Sequence, residues 1–191
     1  NYLFLYGTGI HGAIICGTVS QPGLVVKFSR ALAAFQGLFL GEKHTAKLID
    51  KLAFGNYNKQ VEKQRTSFDW LCRDEAVVDA YIADELCGFI FTVNGFRTLF
   101  TLLDRLNKEE NLKKMPETLP VLFIAGEKDP VGNYGEGVKK AFRDFQKAGL
   151  TTLSMKLYPE DRHELLNELD KKKVYEDIYS WILERIKEYQ L

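Results

Sequence analysis

Three compact apolar runs constrain the fold more than any other feature of the chain. They are Gly12 to Cys16 (GAIIC), Val121 to Ala125 (VLFIA) and Thr152 to Tyr158 (TLSMKLY). Each is short, rich in β-branched or large aliphatic residues, and bounded by Gly, Pro or polar turns, the pattern of buried parallel strands. Between the second and third, Val138, Ala141, Phe142 and Phe145 recur at helical spacing from Gly135 to Ala148, and Gly149 stops the helix. A strand, a helix and a strand in that order predict the crossover unit of a parallel sheet. After the third run, Tyr175, Ile178, Trp181, Ile182 and Ile186 mark an amphipathic helix that packs back on the sheet. Both ends of the chain therefore read as α/β.

The middle reads differently. From Leu24 to Leu112 no strand-like alternation occurs, and apolar residues recur every three or four positions. Phe28, Leu32, Phe35 and Phe39 form one such stripe; Phe96, Leu99, Phe100, Leu103 and Leu106 form another. A helical excursion of this length is too long for a connecting loop. The expected organisation is thus an α/β core formed by residues 1–23 and 113–191, with a helical cap over residues 24–112. The opening NYLFLYG reads as the last turns of a helix with no cap before it. That leads us to expect a longer protein of which this is the C-terminal portion.

Composition removes several function classes. The chain has 26 basic and 26 acidic side chains among 191 residues, with no basic block, so it lacks the electrostatic footprint of a nucleic-acid binder. The apolar stretches are broken by Lys27, Arg30, Asn94 and Arg97, well short of the roughly 18 uninterrupted apolar residues of a membrane span. The first residues lack the basic region and cleavage site of a signal peptide. Three unpaired cysteines, Cys16, Cys72 and Cys87, argue against a disulfide framework and point to a reducing cytoplasm. No metal or cofactor is expected: CxxC is absent, and the run His163-Glu164-Leu165-Leu166-Asn167 has Asn where a zinc-protease helix needs its second His.

In open parallel sheets, chemistry collects in loops beyond the carboxyl ends of the strands. The second run leads into Gly126-Glu127-Lys128-Asp129-Pro130, and the third into Pro159-Glu160-Asp161-Arg162-His163. A single crossover makes these strands neighbours about 4.8 Å apart, so the two loops touch. Asp129 and His163 are then expected to form a carboxylate–imidazole pair in which the acid fixes the tautomer of the base.

GEKDPVG, KLYPEDRHELLNE and TSFDWLCRDEAVVDAYIADELCGFIFT together resemble the α/β-hydrolase superfamily. Within it they resemble the monoacylglycerol lipase and lysophospholipase branch, which is also grouped as serine-aminopeptidase-like. The resemblance runs from Gly12 to the C-terminus. It implies a partial α/β-hydrolase fold with a helical cap, Asp129 as triad acid, His163 as triad base, and an acyl ester or lipid as substrate. Glu85 stands where relatives commonly carry Pro, a departure in the cap.

One element of the family is missing. No G-x-S-x-G occurs, and Ser20, Ser29, Ser67, Ser154 and Ser180 lack the Gly-flanked turn that exposes a nucleophile. The nucleophile is expected in a missing N-terminal part or a companion chain, and residues 1–191 alone are expected to be inactive. Trp70, Phe89, Phe91, Phe96 and Phe100 are the expected lining of an apolar acyl pocket, and the apolar cap also suggests peripheral membrane contact. A Cys-His hydrolase using Cys72 or Cys87 is the weaker enzyme reading, since neither stands at a strand-to-helix elbow. The alternative from another class is a binding or scaffold protein that kept the fold without the nucleophile.

Overall fold

The computed structural model describes residues 1–189. A short helix α1 (Tyr2–Tyr6) and a 3-10 turn lead to strand β1 (Ala13–Cys16). Five helices follow before the chain returns to the sheet: α2 (Gly23–Leu40), α3 (Lys47–Phe54), α4 (Glu75–Ala83), α5 (Val93–Leu106) and α6 (Glu109–Leu112). The remaining elements are β2 (Val121–Gly126), α7 (Glu136–Lys147), β3 (Leu153–Tyr158) and α8 (Lys171–Tyr189). The three strands form one parallel sheet in the order β1-β2-β3, with Ala13 opposite Val121 and Val121 opposite Leu153.

β2 shows why the apolar runs form this sheet. Successive side chains of a strand face opposite sides, so a central strand covered on both faces must be apolar throughout, and every β2 residue is buried. Val121, Phe123 and Ala125 enter one core with Phe4, Val138 and Ala141. Leu122 and Ile124 enter a second with Tyr158, Leu165 and Val174, which Trp181 of α8 covers. Among the described residues β1 pairs with β2 alone, so its outer edge carries no strand.

The segment between β1 and β2 is helical, as its periodicity predicts, and has its own core. Val26 and Ala33 of α2 meet Ile49 of α3 and Val93, Phe96 and Phe100 of α5. Two starts are capped as the residue types demand. Asp74 accepts from the Ala76 amide at 3.0 Å, and Thr92 accepts from the Gly95 amide at 3.2 Å. By length and composition alone α2 is apolar enough to cross a membrane, with mean hydropathy 1.3. Lys27 and Arg30 interrupt its apolar sequence. In the fold Arg30 Nη1 bonds Asp104 of α5 at 2.6 Å, tying α2 to the helical core. Leu24, Phe28, Leu38 and Phe39 of the same helix remain exposed.

Candidate active site

The loops beyond β2 and β3 are joined by their backbones. The Glu127 amide donates to the Tyr158 carbonyl at 2.8 Å, and the Lys128 amide to the Asp161 carbonyl at 2.9 Å. This close approach needs Gly126: a Cβ there would lie 2.0 Å from the carbonyl oxygen of Asp161 and 2.4 Å from that of Arg162. After Asp129 the chain turns through left-handed conformations at Asn133 (φ 48°), Tyr134 (φ 54°) and Gly135 (φ 85°), a strained path that only surrounding contacts can maintain. The Tyr134 amide closes the turn on the Asp129 carbonyl at 2.9 Å.

Asp129 is fully buried. Its Oδ1 accepts from the Val131 amide at 2.8 Å, and its Oδ2 lies 3.0 Å from His163 Nδ1. In the neutral tautomer whose Nδ1–H donates to this carboxylate, Nε2 carries the lone pair. Nε2 has no hydrogen-bond partner among the described residues. The ring rests on Gly17 at the end of β1, where a Cβ would stand 3.1 Å from Cε1 and φ is +61°.

His163 lines a cavity of about 620 Å³ between the strand-end loops and the helical segment. Trp70, Tyr57, Phe54, Phe100 and Leu103 form part of its wall, and the Trp70 ring lies 5.5 Å from the imidazole. Burial, with the Asp129 and Tyr134 charges adding, pushes the Tyr57 hydroxyl up to about 12, so it stays protonated as a donor. A separate apolar cavity of about 270 Å³, near α1 and α7, does not include His163.

Of the five expected acyl-pocket residues, Trp70 and Phe100 reach the wall of the His163 cavity. Phe96 does not: it is fully buried, stacked on Phe100 at 5.7 Å, inside the core that joins α5 to α2. Phe89 and Phe91 lie in the loop before the Thr92 cap, 61% and 38% exposed, outside that wall. Residues ahead of the cap are not on the inward stripe that directs Phe96 and Phe100. The cysteines are poorly suited to nucleophilic attack. Burial pushes the Cys72 thiol up to about 11, and burial and Asp84 raise that of Cys87, which suppresses the reactive thiolate. Ser20 Oγ bonds Asp144 and Lys140, both at 2.7 Å, on the α7 side.

Three residues that build this site carry no signal of their own in the sequence: Gly17, Gly126 and Tyr57. Gly126 opens the quoted GEKDPVG run, but only the approach of the neighbouring loop shows why it must be Gly.

A family model described as serine aminopeptidase, S33, matches residues 1–170. Among solved structures, a highly thermostable carboxyl esterase from Bacillus coagulans in complex with glycerol is 27% identical, with a TM-score of 0.84 over 97% of this chain and 60% of its own. A soluble variant of monoglyceride lipase from Saccharomyces cerevisiae, with a substrate analog, is 20% identical, with a TM-score of 0.67 over 97% of this chain and 57% of its own. A monoacylglycerol lipase of Paleococcus ferrophilus is 16% identical, with a TM-score of 0.63 over 96% and 63%. The last two likenesses concern the fold alone. No curated protein matches the sequence. The chain spans between 57% and 63% of the length of these solved chains.

Proposed function

The chain belongs to the serine aminopeptidase S33 family of α/β-hydrolases, and from that premise we propose that it carries the acid–base part of a serine hydrolase that cleaves carboxylic esters. The observation that carries this reading is the 3.0 Å contact between His163 Nδ1 and a fully buried Asp129, presented from adjoining strand ends. In it, Nε2 of His163 takes the proton of a serine hydroxyl supplied by residues outside this chain. The serine oxygen attacks the ester carbonyl, and His163 returns the proton to the leaving alcohol. Water then hydrolyses the acyl-enzyme by the same proton relay. Asp129 remains ionised, holds the tautomer and stabilises the imidazolium. Residues 24–112 act as a cap, and the cavity walled by Trp70, Phe100 and Leu103 takes the apolar acyl portion, which favours a lipid-like ester.

The test joins the chain to the segment that bears the serine and measures p-nitrophenyl ester turnover with fluorophosphonate labelling. We expect one labelled serine upstream of Asn1, no turnover by residues 1–191 alone, and none after His163→Ala with the fold intact. Asp129→Asn is expected to lower kcat by about 10⁴-fold, as loss of the orienting acid does in Ser-His-Asp sites. Near-normal turnover in the His163→Ala protein overturns the reading.

A further inference from the structure

The helical segment grips the His163 loop through one arginine. Arg73 lies just after the 3-10 turn Asp69–Leu71, and its Nε donates to Glu168 Oε2 at 2.8 Å while its backbone amide donates to Glu168 Oε1 at 3.1 Å. Its Nη2 reaches Asp161 Oδ1 at 2.5 Å and also contacts Asp170. Glu168 and Asp161 are both fully buried, so the loop commits two buried acids to one guanidinium from a distant part of the chain. A planar fork bridges these carboxylates from separate nitrogens held in fixed geometry, which the point charge of an ammonium does not reproduce.

The grip is applied on both sides of His163. Glu168 Oε1 also accepts from the Arg162 amide at 3.0 Å, and Arg162 Nη1 donates to the carbonyls of Asp69 at 2.6 Å and Cys72 at 3.0 Å. The Glu164 amide donates to the Leu71 carbonyl at 2.8 Å. The residues before and after His163 are therefore both bonded to the segment 69–73, whose Trp70 packs on the imidazole. One guanidinium faces three carboxylates, which leaves excess negative charge unless a proton remains. Asp161 Oδ2 is buried without a donor, and one oxygen each of Asp161, Glu168 and Asp170 lies within 4.8 Å of the others.

From this arrangement we propose that Arg73 is a positioning residue for the His163–Asp129 pair, so that the segment carrying Arg73 sets the orientation of the imidazole as well as covering the cavity. This rests on the acid–base reading above. Displacements of about 1 Å in such a site cost about a hundredfold in rate, and the Nδ1–H bond to Asp129 is the contact that registers them.

The test is made on the chain joined to the serine-bearing segment, by NMR of the His163 ring. The wild-type chain should show a downfield, exchange-protected Nδ1–H signal that Asp129→Asn erases. In Arg73→Gln, with amide dispersion and far-UV circular dichroism unchanged, exchange of that proton with water should accelerate roughly tenfold to a hundredfold, the span that losing a charged hydrogen bond covers. Arg73→Lys keeps the charge without the fork, secures the test if the Gln variant fails to fold, and should accelerate exchange to a lesser extent. A merely structural Arg73 would lower the melting temperature and leave the Nδ1–H signal and His163 titration of the folded chain unchanged. That result overturns the proposal while leaving the acid–base reading intact. Absence of the signal in the wild-type chain removes the pair itself, and both fall.

Discussion

Glu168→Gln isolates the energy of the buried clamp without changing its volume. The two carboxylate oxygens of Glu168 accept four donors: the Arg73 and Arg162 amides on Oε1, and Arg73 Nε and the Leu169 amide on Oε2. An amide keeps one acceptor oxygen and replaces the other with an NH₂ group. Whichever way it sits, two donors then face a donor. Each hydrogen bond to a charged acceptor is worth about 1.5–3 kcal/mol, which gives roughly 3–6 kcal/mol for two. Asp170 still neutralises Arg73, so the expected loss is about 3–5 kcal/mol, in the range for breaking a buried ion pair. Urea unfolding of the chain joined to its serine-bearing segment, followed by far-UV circular dichroism, measures it. With a slope of about 2 kcal/mol/M the midpoint should fall by roughly 2 M. Glu160→Gln, on the exposed side of the same loop, should stay within about 0.5 kcal/mol. A Glu168→Gln loss below about 1 kcal/mol at unchanged slope would refute the assignment of Glu168 as the buried anchor of Arg73.

Two further perturbations probe the same joint. Gly126→Ala drives a Cβ into the backbone carbonyls of Asp161 and Arg162, so it should destabilise by at least about 2–4 kcal/mol, whereas Gly23→Ala, whose Cβ meets nothing within 4 Å, should not; equal melting temperatures for the two variants would contradict the close approach. Burial, with Asp170 and Glu168 adding and Arg73 opposing, pushes the Asp161 carboxyl from 3.8 up to about 7. The folded state therefore holds this proton more tightly than the unfolded state, and the stability it contributes is complete below about pH 4 and lost as pH rises through about 7. Urea midpoints at pH 5 and pH 8 should fall less for Asp161→Asn, which cannot ionise, than for the wild type. Parallel slopes would show that Asp161 does not titrate in this window.

The parts of the fold legible in the sequence were those with a local period. β2 is apolar at every position because it is covered on both faces, and α7 shows its stripe because only one side meets Phe123. Asp129 and His163 were readable as neighbours for a topological reason: one crossover separates their strands, and adjacent parallel strands bring their end loops together. The helical nature of residues 24–112 was equally visible. What periodicity could not rank was which aromatic residues reach the cavity, since Phe96 and Phe100 share one stripe yet only Phe100 lines it.

Residue types and spacing thus determined by themselves that this chain builds parallel strands, a helical insertion and an Asp–His pair at the strand ends, because periodicity and strand-end placement follow from the backbone within a few residues. Only the tertiary structure decided that Gly126 must lack a side chain, that Gly17 lies under the imidazole, and that Arg73 closes on Asp161, Glu168 and Asp170. A charge in sequence carries no indication of its partner. Its choice of carboxylate is settled through space, by which buried groups are left without water when the helical segment closes on the sheet.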